Sequence, residues 1–177
     1  LYQRVRITDS VAGQSAGAAF PGSESSRTIT VSIVPVSEDD IASLTTMLAG
    51  QGHKFLSAWT FSAEDFSAGP SNPVYLSLPA DSAGNISSLN IWWLIDEEWR
   101  PYFDHDWMEW NSQLTDLAFD GTYASFVVNN LGSFAVTAKM STGDSDGDND
   151  VDGLDLLSFN TAQNELTIEE LAAVFGK

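Results

Sequence analysis

Six carboxylates fall within twelve residues, Asp144-Ser145-Asp146-Gly147-Asp148-Asn149-Asp150-Val151-Asp152-Gly153-Leu154-Asp155, at loop positions 1, 3, 5, 7, 9 and 12. A hard divalent cation takes about six to eight oxygens at ~2.3–2.6 Å, and a twelve-residue loop curling once supplies them at this spacing. Without a cation such a loop is self-repelling, since two like charges about 4 Å apart cost about 1 kcal/mol even in bulk water. A solvated acidic linker is the ordinary fate of a charge run. The aliphatic Val151 at position 8 and the apolar residues that begin at Leu156 set this stretch apart. The chemistry it implies is calcium binding.

The stretch from Asp144 to Leu157 resembles one calcium repeat of a dockerin, the module by which bacteria plug secreted proteins onto cohesin-bearing partners. In that family Asp replaces the Glu usual at position 12 of an EF-hand, as Asp155 does here, and no helix precedes the loop, as Met140-Ser141-Thr142-Gly143 implies. The resemblance implies that the side chains of Asp144, Asp146, Asp148 and Asp155 bind the metal. Asp150 would contribute through its carbonyl and Asp152 directly or through water. Position 6 is Asn149 where Gly is usual, and Asn tolerates left-handed backbone better than most residues. Dockerins carry two repeats, whereas Asn164 to Phe175 holds no second Asp-x-Asp-x-Asp series, and Thr167 to Glu170 reads as a capping box opening a short helix. The resemblance is specific for calcium and weak for cohesin.

The loop must be carried by something, and the rest of the chain reads as strands. Thr28 to Val34 alternates with period two. Ser37-Glu38-Asp39-Asp40 then opens a helix with Ile41, Leu44 and Leu48 on one face and Gly50 as its stop. Strands follow at 54–61, 74–78, 88–95, 123–128 and 133–138, with Pro70, Pro73, Pro79, Asp96-Glu97-Glu98, Asp120-Gly121 and Leu131-Gly132 marking turns. The fold class expected is mainly β: an antiparallel β-sandwich with one short helix and a small C-terminal calcium-loop and helical appendage. We divide the chain into an extended N-terminal arm over 1–28, the sandwich over 29–139 and the dockerin-like segment over 140–177. The arm is Ser-, Gly- and Ala-rich and holds Arg4, Arg6 and Arg27, so it could lie on an acidic neighbour; the plainer reading is a first strand followed by a loose loop.

Over residues 30–139 the ordered motifs resemble a ZU5-like module of bacterial surface proteins. They are Pro73-Val74-Tyr75-Leu76-Ser77-Leu78-Pro79, Ile91-Trp92-Trp93, Trp99-Arg100-Pro101, Gly121 to Phe126 and Gly132-Ser133-Phe134-Ala135-Val136. The resemblance implies a non-catalytic module. No Gly-x-Ser-x-Gly elbow, phosphate loop or His-Glu-x-x-His motif argues otherwise, and acids clustered on turns are a poor setting for a raised carboxyl pKa.

Seven basic residues against 25 acidic ones leave a net charge of −18, which argues against nucleic acid or an anionic membrane as partner. No cysteine is present, so disulfides and thiolate metal sites are excluded. Nothing reads as a signal peptide or membrane span, and we take the chain, which opens at Leu1, as a mature or excised segment. Five of its six tryptophans lie between 92 and 110. Trp99, Tyr102, Trp107 and Trp110 could form a contact surface for protein or sugar, against the plainer reading that they pack. Asp104-His105-Asp106 lacks the longer-range partners zinc needs and reads as a solvated loop. The expectation is an extracellular, cell-surface, non-catalytic calcium module joining a protein partner or copies of itself into a fibre or array. The alternative is a carbohydrate-binding accessory module using the aromatic loop on a polysaccharide.

Overall fold

Strands with apolar residues at every second position must hide one face, and here two five-stranded sheets hide theirs against each other. The computed structural model describes residues 2–9, 13–22, 28–81, 83–102 and 117–140. Within them lie β1 (Tyr2–Thr8), β2 (Ser15–Pro21), β3 (Thr30–Pro35), α1 (Glu38–Met47), β4 (His53–Glu64) and β5 (Val74–Pro79). A short 3₁₀ turn (Ile86–Ser88) leads to β6 (Leu89–Ile95) and β7 (Glu98–Pro101), and β8 (Ala118–Phe119), β9 (Tyr123–Val128) and β10 (Ser133–Lys139) follow. The first sheet runs β1-β2-β5-β9-β8 and the second β3-β4-β10-β6-β7, with every pairing antiparallel. The expected β-sandwich with one helix is the observed architecture.

The core follows from the alternation. From the first sheet β2 contributes Ala16, Ala18 and Phe20, β5 Val74, Leu76 and Leu78, and β9 Ala124, Phe126 and Val128. The second sheet answers with Trp59 and Phe61 of β4, Ile91 of β6, and Phe134 and Val136 of β10. Phe134 is fully buried at the centre of an aromatic cluster. Its ring stacks on Trp93 at 6.0 Å and 9°, meets Tyr102 at 5.5 Å and 83°, and meets Phe126 across the sandwich at 5.7 Å. A second tie joins the sheets: the register of β4 against β10 shifts at Val136/Thr137, and the buried Ser57 Oγ donates to the Pro79 carbonyl of β5 at 2.7 Å.

The outer face of the second sheet is also covered. Ala58, Trp92, Trp99 and Ala135 turn to that side and pack with Leu44 and Leu48 of α1. This makes Phe134 to Ala138 a continuous buried run, as expected of a strand covered on both faces. The helix starts where the sequence places it: Ser37 caps it, its Oγ accepting from the Asp40 amide at 3.2 Å, and Glu38, Asp39 and Asp40 sit favourably at the positive end of the dipole. The turn between β6 and β7 is tight, with Asp96 and Glu97 both at positive φ (50° and 66°), the geometry of a two-residue type I′ hairpin.

One expectation is overturned. Tyr2–Thr8 and Ser15–Pro21 are no extended arm but paired strands of the first sheet, β1 with β2 from Tyr2↔Pro21 to Thr8↔Ser15 and β2 with β5. The plainer reading of a first strand holds for β1, while the stretch read as a loose loop contains β2. The reason is that β2 buries small residues. Ala16 and Ala18 fill the core beside Phe20, so a stretch poor in large hydrophobes still has an inside face. The sandwich therefore begins at β1 rather than at residue 29.

Phe134→Ala removes the ring on which both sheets converge and should lower unfolding free energy by about 3–5 kcal/mol, read from the urea midpoint. A loss below about 1 kcal/mol would show that the cluster does not hold the sheets together.

Candidate functional site

The six expected calcium ligands, Asp144, Asp146, Asp148, Asp150, Asp152 and Asp155, lie outside the described residues. Their attachment point lies within them. β10 is the central strand of the second sheet, and the Met140 amide just beyond it donates to the Gly52 carbonyl at 2.8 Å. Three residues of chain separate Met140 from Asp144, so full extension keeps the two Cα atoms within about 15 Å. The chain leaves the described residues at the β4/β10 end of the sheet. Among the described residues no group of three or more His, Asp or Glu side chains is placed to hold a metal.

At that end His53 pairs with Lys139, and its Nδ1 lies 3.2 Å from Thr137 Oγ1, which also accepts from Trp92 Nε1 at 2.9 Å. Burial, and then the Lys139 charge, lower the His53 pKa, which favours the neutral ring. His53 works here as a packing and hydrogen-bonding residue.

The aromatic surface expected of Trp99, Tyr102, Trp107 and Trp110 divides. Trp107, Trp110 and Asp104-His105-Asp106 lie outside the described residues. Trp99 is 6 % exposed, wedged between the second sheet and α1, with Nε1 donating to the Asp40 carbonyl at 2.8 Å. Tyr102 packs on Phe126 and Phe134, and its hydroxyl donates to the Val127 carbonyl at 3.1 Å. Neither ring is a free platform: the alternation of β7 sends Trp99 under the helix, and Tyr102 closes the core.

Sequence reading missed a second surface, the outer face of the first sheet. Register places Arg4 and Arg6 of β1 beside Ala19 and Gly17 of β2. Those lie beside Tyr75 and Ser77 of β5, and Ser77 lies beside Ser125 of β9. Small side chains make a floor and large ones its walls, enclosing a groove of about 590 Å³. Tyr2 and Tyr75 meet edge to face at 5.0 Å and remain 45 % and 41 % exposed. The Arg6 guanidinium lies 4.2 Å from the centre of the Tyr123 ring. A Cβ on Gly17 would come 3.2 Å from the Val5 carbonyl and 3.7 Å from Arg6 Nε, so any side chain there would crowd the floor. At the rim Asp120 accepts from the Tyr123 and Thr122 amides at 2.7 and 2.9 Å; these bonds, with a smaller contribution from Arg6, hold its carboxyl below the usual range. The signal was present as the period-two placement of Tyr2, Arg4 and Arg6, which a folded strand must bring to one face.

No protein-family model and no curated protein matches this chain. Among the described residues no helix is long and apolar enough to cross a membrane.

Burial pushes the Tyr102 phenol up to about 12, against the smaller opposing effect of a backbone hydrogen bond. The folded state therefore keeps a proton that an unfolded tyrosine loses near pH 10, so stability is full below that pH and falls as pH rises toward 12. Urea midpoints at pH 9, 10 and 11 should decline more steeply for the parent than for Tyr102→Phe. Equal slopes would contradict the assignment.

Proposed function

We propose that this chain is a non-catalytic, extracellular calcium-binding module whose task is assembly through protein contacts, either with a partner or with copies of itself. The observation that carries the reading is the spacing of Asp144, Asp146, Asp148, Asp150, Asp152 and Asp155 in one twelve-residue loop, just beyond a strand end fixed by Met140 and Gly52. Calcium neutralises the carboxylates and orders the segment, and binding energy gained only by the ordered form stabilises it. Extracellular calcium modules commonly bind in the 10⁻⁴–10⁻³ M range, which suits a cell-surface setting and a strongly acidic chain. A rigid sandwich with both faces of one sheet packed is a fitting carrier for such a segment. The dockerin-like and ZU5-like resemblances point to the same class of work. Asp96, Glu97 and Glu98 are exposed on a tight turn, with no enclosed pocket around them among the described residues to shape acid–base chemistry.

Light scattering on the size-exclusion eluate of the full chain tests the assembly role. In millimolar calcium a larger species should form, revert to monomer in EGTA, and fail to form with Asp144→Ala/Asp155→Ala. A monomer in both buffers would exclude self-assembly and restrict the reading to a foreign partner.

A further inference from the structure

We infer that the groove on the outer face of the first sheet binds an acidic polysaccharide of uronate type, carrying one carboxylate per ring. It lies on a different sheet from the strand end that carries the calcium loop and uses none of the loop's residues, so it stands independently of the assembly reading.

The charge pattern comes first. The chain carries −18 overall, yet Arg4 and Arg6, two of its seven basic residues, stand on one strand face and line one groove. Both are exposed, and neither forms a salt bridge within 4 Å among the described residues. The Asp120 carboxylate at the rim feels the Arg6 charge, which leaves Arg4 as the less compensated cation. A guanidinium presents a planar fork that matches a carboxylate with two parallel hydrogen bonds. Arg6 is held in place by the Tyr123 ring, while Arg4 stands in register with Ala19 and, across it, Tyr75. One arginine is thus pre-positioned and the other is free to close on a ligand.

The groove's shape and lining choose among anions. Its roughly 590 Å³ falls in the range of small-molecule and oligomer sites. The floor is flat because Gly17, Ala19, Ser77 and Ser125 are small, and two serine hydroxyls offer hydrogen bonds to ring hydroxyls. Tyr2 and Tyr75 supply exposed aromatic surface on which a pyranose face can rest. Near the groove a peptide strand could add only at the outer edge of β1, beyond the groove itself, because β2 and β5, which form the floor, are paired on both sides. The −18 charge also disfavours a densely sulfated chain, whose long-range repulsion would be greater than that of a ligand with one charge per ring.

The test titrates the full chain with a trigalacturonate probe in EGTA, so that calcium at the C-terminal loop cannot bridge protein and ligand, and follows heat by calorimetry. Saturable binding is expected, weakened about tenfold or more by Arg4→Gln and by Tyr75→Ala, with thermal midpoints of both variants close to the parent's. The neutral trisaccharide maltotriose should bind at least about tenfold more weakly. Equal binding of maltotriose, tighter binding of a sulfated trisaccharide or of a poly-glutamate peptide, or unchanged affinity in both variants would each overturn the assignment. Absence of binding by the parent would do the same while leaving the calcium-dependent behaviour untouched.

Discussion

The packing of the two sheets on Phe134 is the constraint from which the rest of the molecule follows. Its ring touches Trp93 on its own sheet, Tyr102 at the margin and Phe126 on the opposite sheet. Tyr102 also meets Phe126, so sliding the sheets would break the Phe134 and Tyr102 contacts to Phe126 together. β10 carries this residue down the middle of its sheet, and the neighbouring Ala135 faces the other way toward α1. One strand therefore couples core, helix layer and the chain that leads to the acidic loop. The bond from Met140 to Gly52 extends that rigidity to the last residue described.

Fixing the inner faces also fixes the outer ones. Once Ala16, Ala18 and Phe20 point inward, Gly17 and Ala19 must point outward, and the pairing of β1 aligns Arg4 and Arg6 above them. The groove is thus a by-product of register, with the small residues of β2 serving both surfaces. A one-residue slip of β1 would send the arginines inward and Val5 outward, so the burial of Val5 against the core protects the groove's geometry. In the same way α1 needs the indoles of Trp92 and Trp99 beneath it, which is why neither can serve as an exposed platform.

Much of this was legible in the sequence where side chains are large. The alternation in β3, β5, β9 and β10 and the Ser37 cap of α1 each declared themselves through period, propensity and punctuation. The second strand did not, because Ala and Gly carry little hydrophobic signal even when buried, and β2 read as a loose loop after a first strand. For Trp99 and Tyr102 the plainer reading, that they pack, is the observed one, and the contact surface expected of them is not. A cluster of aromatics says that surface will be buried but not against what, and here it is against Leu44 and Phe134 rather than a ligand. The groove was hidden because its parts come from residues 2–6, 17–19, 75–77 and 120–125, joined only by strand pairing. The loop at 144–155 is a purely local pattern, and it lies outside the described residues.

The claim on which the functional reading rests is that this loop is a discrete calcium site tied to the end of the second sheet. Amide NMR of the full chain under calcium titration tests it most directly. The claim predicts saturation with one equivalent of calcium, large shifts confined to residues 144–155, and smaller ones at Met140, Gly52 and His53. Small, uniform and unsaturated shifts across all acidic residues would show diffuse screening of a charged linker and would contradict it.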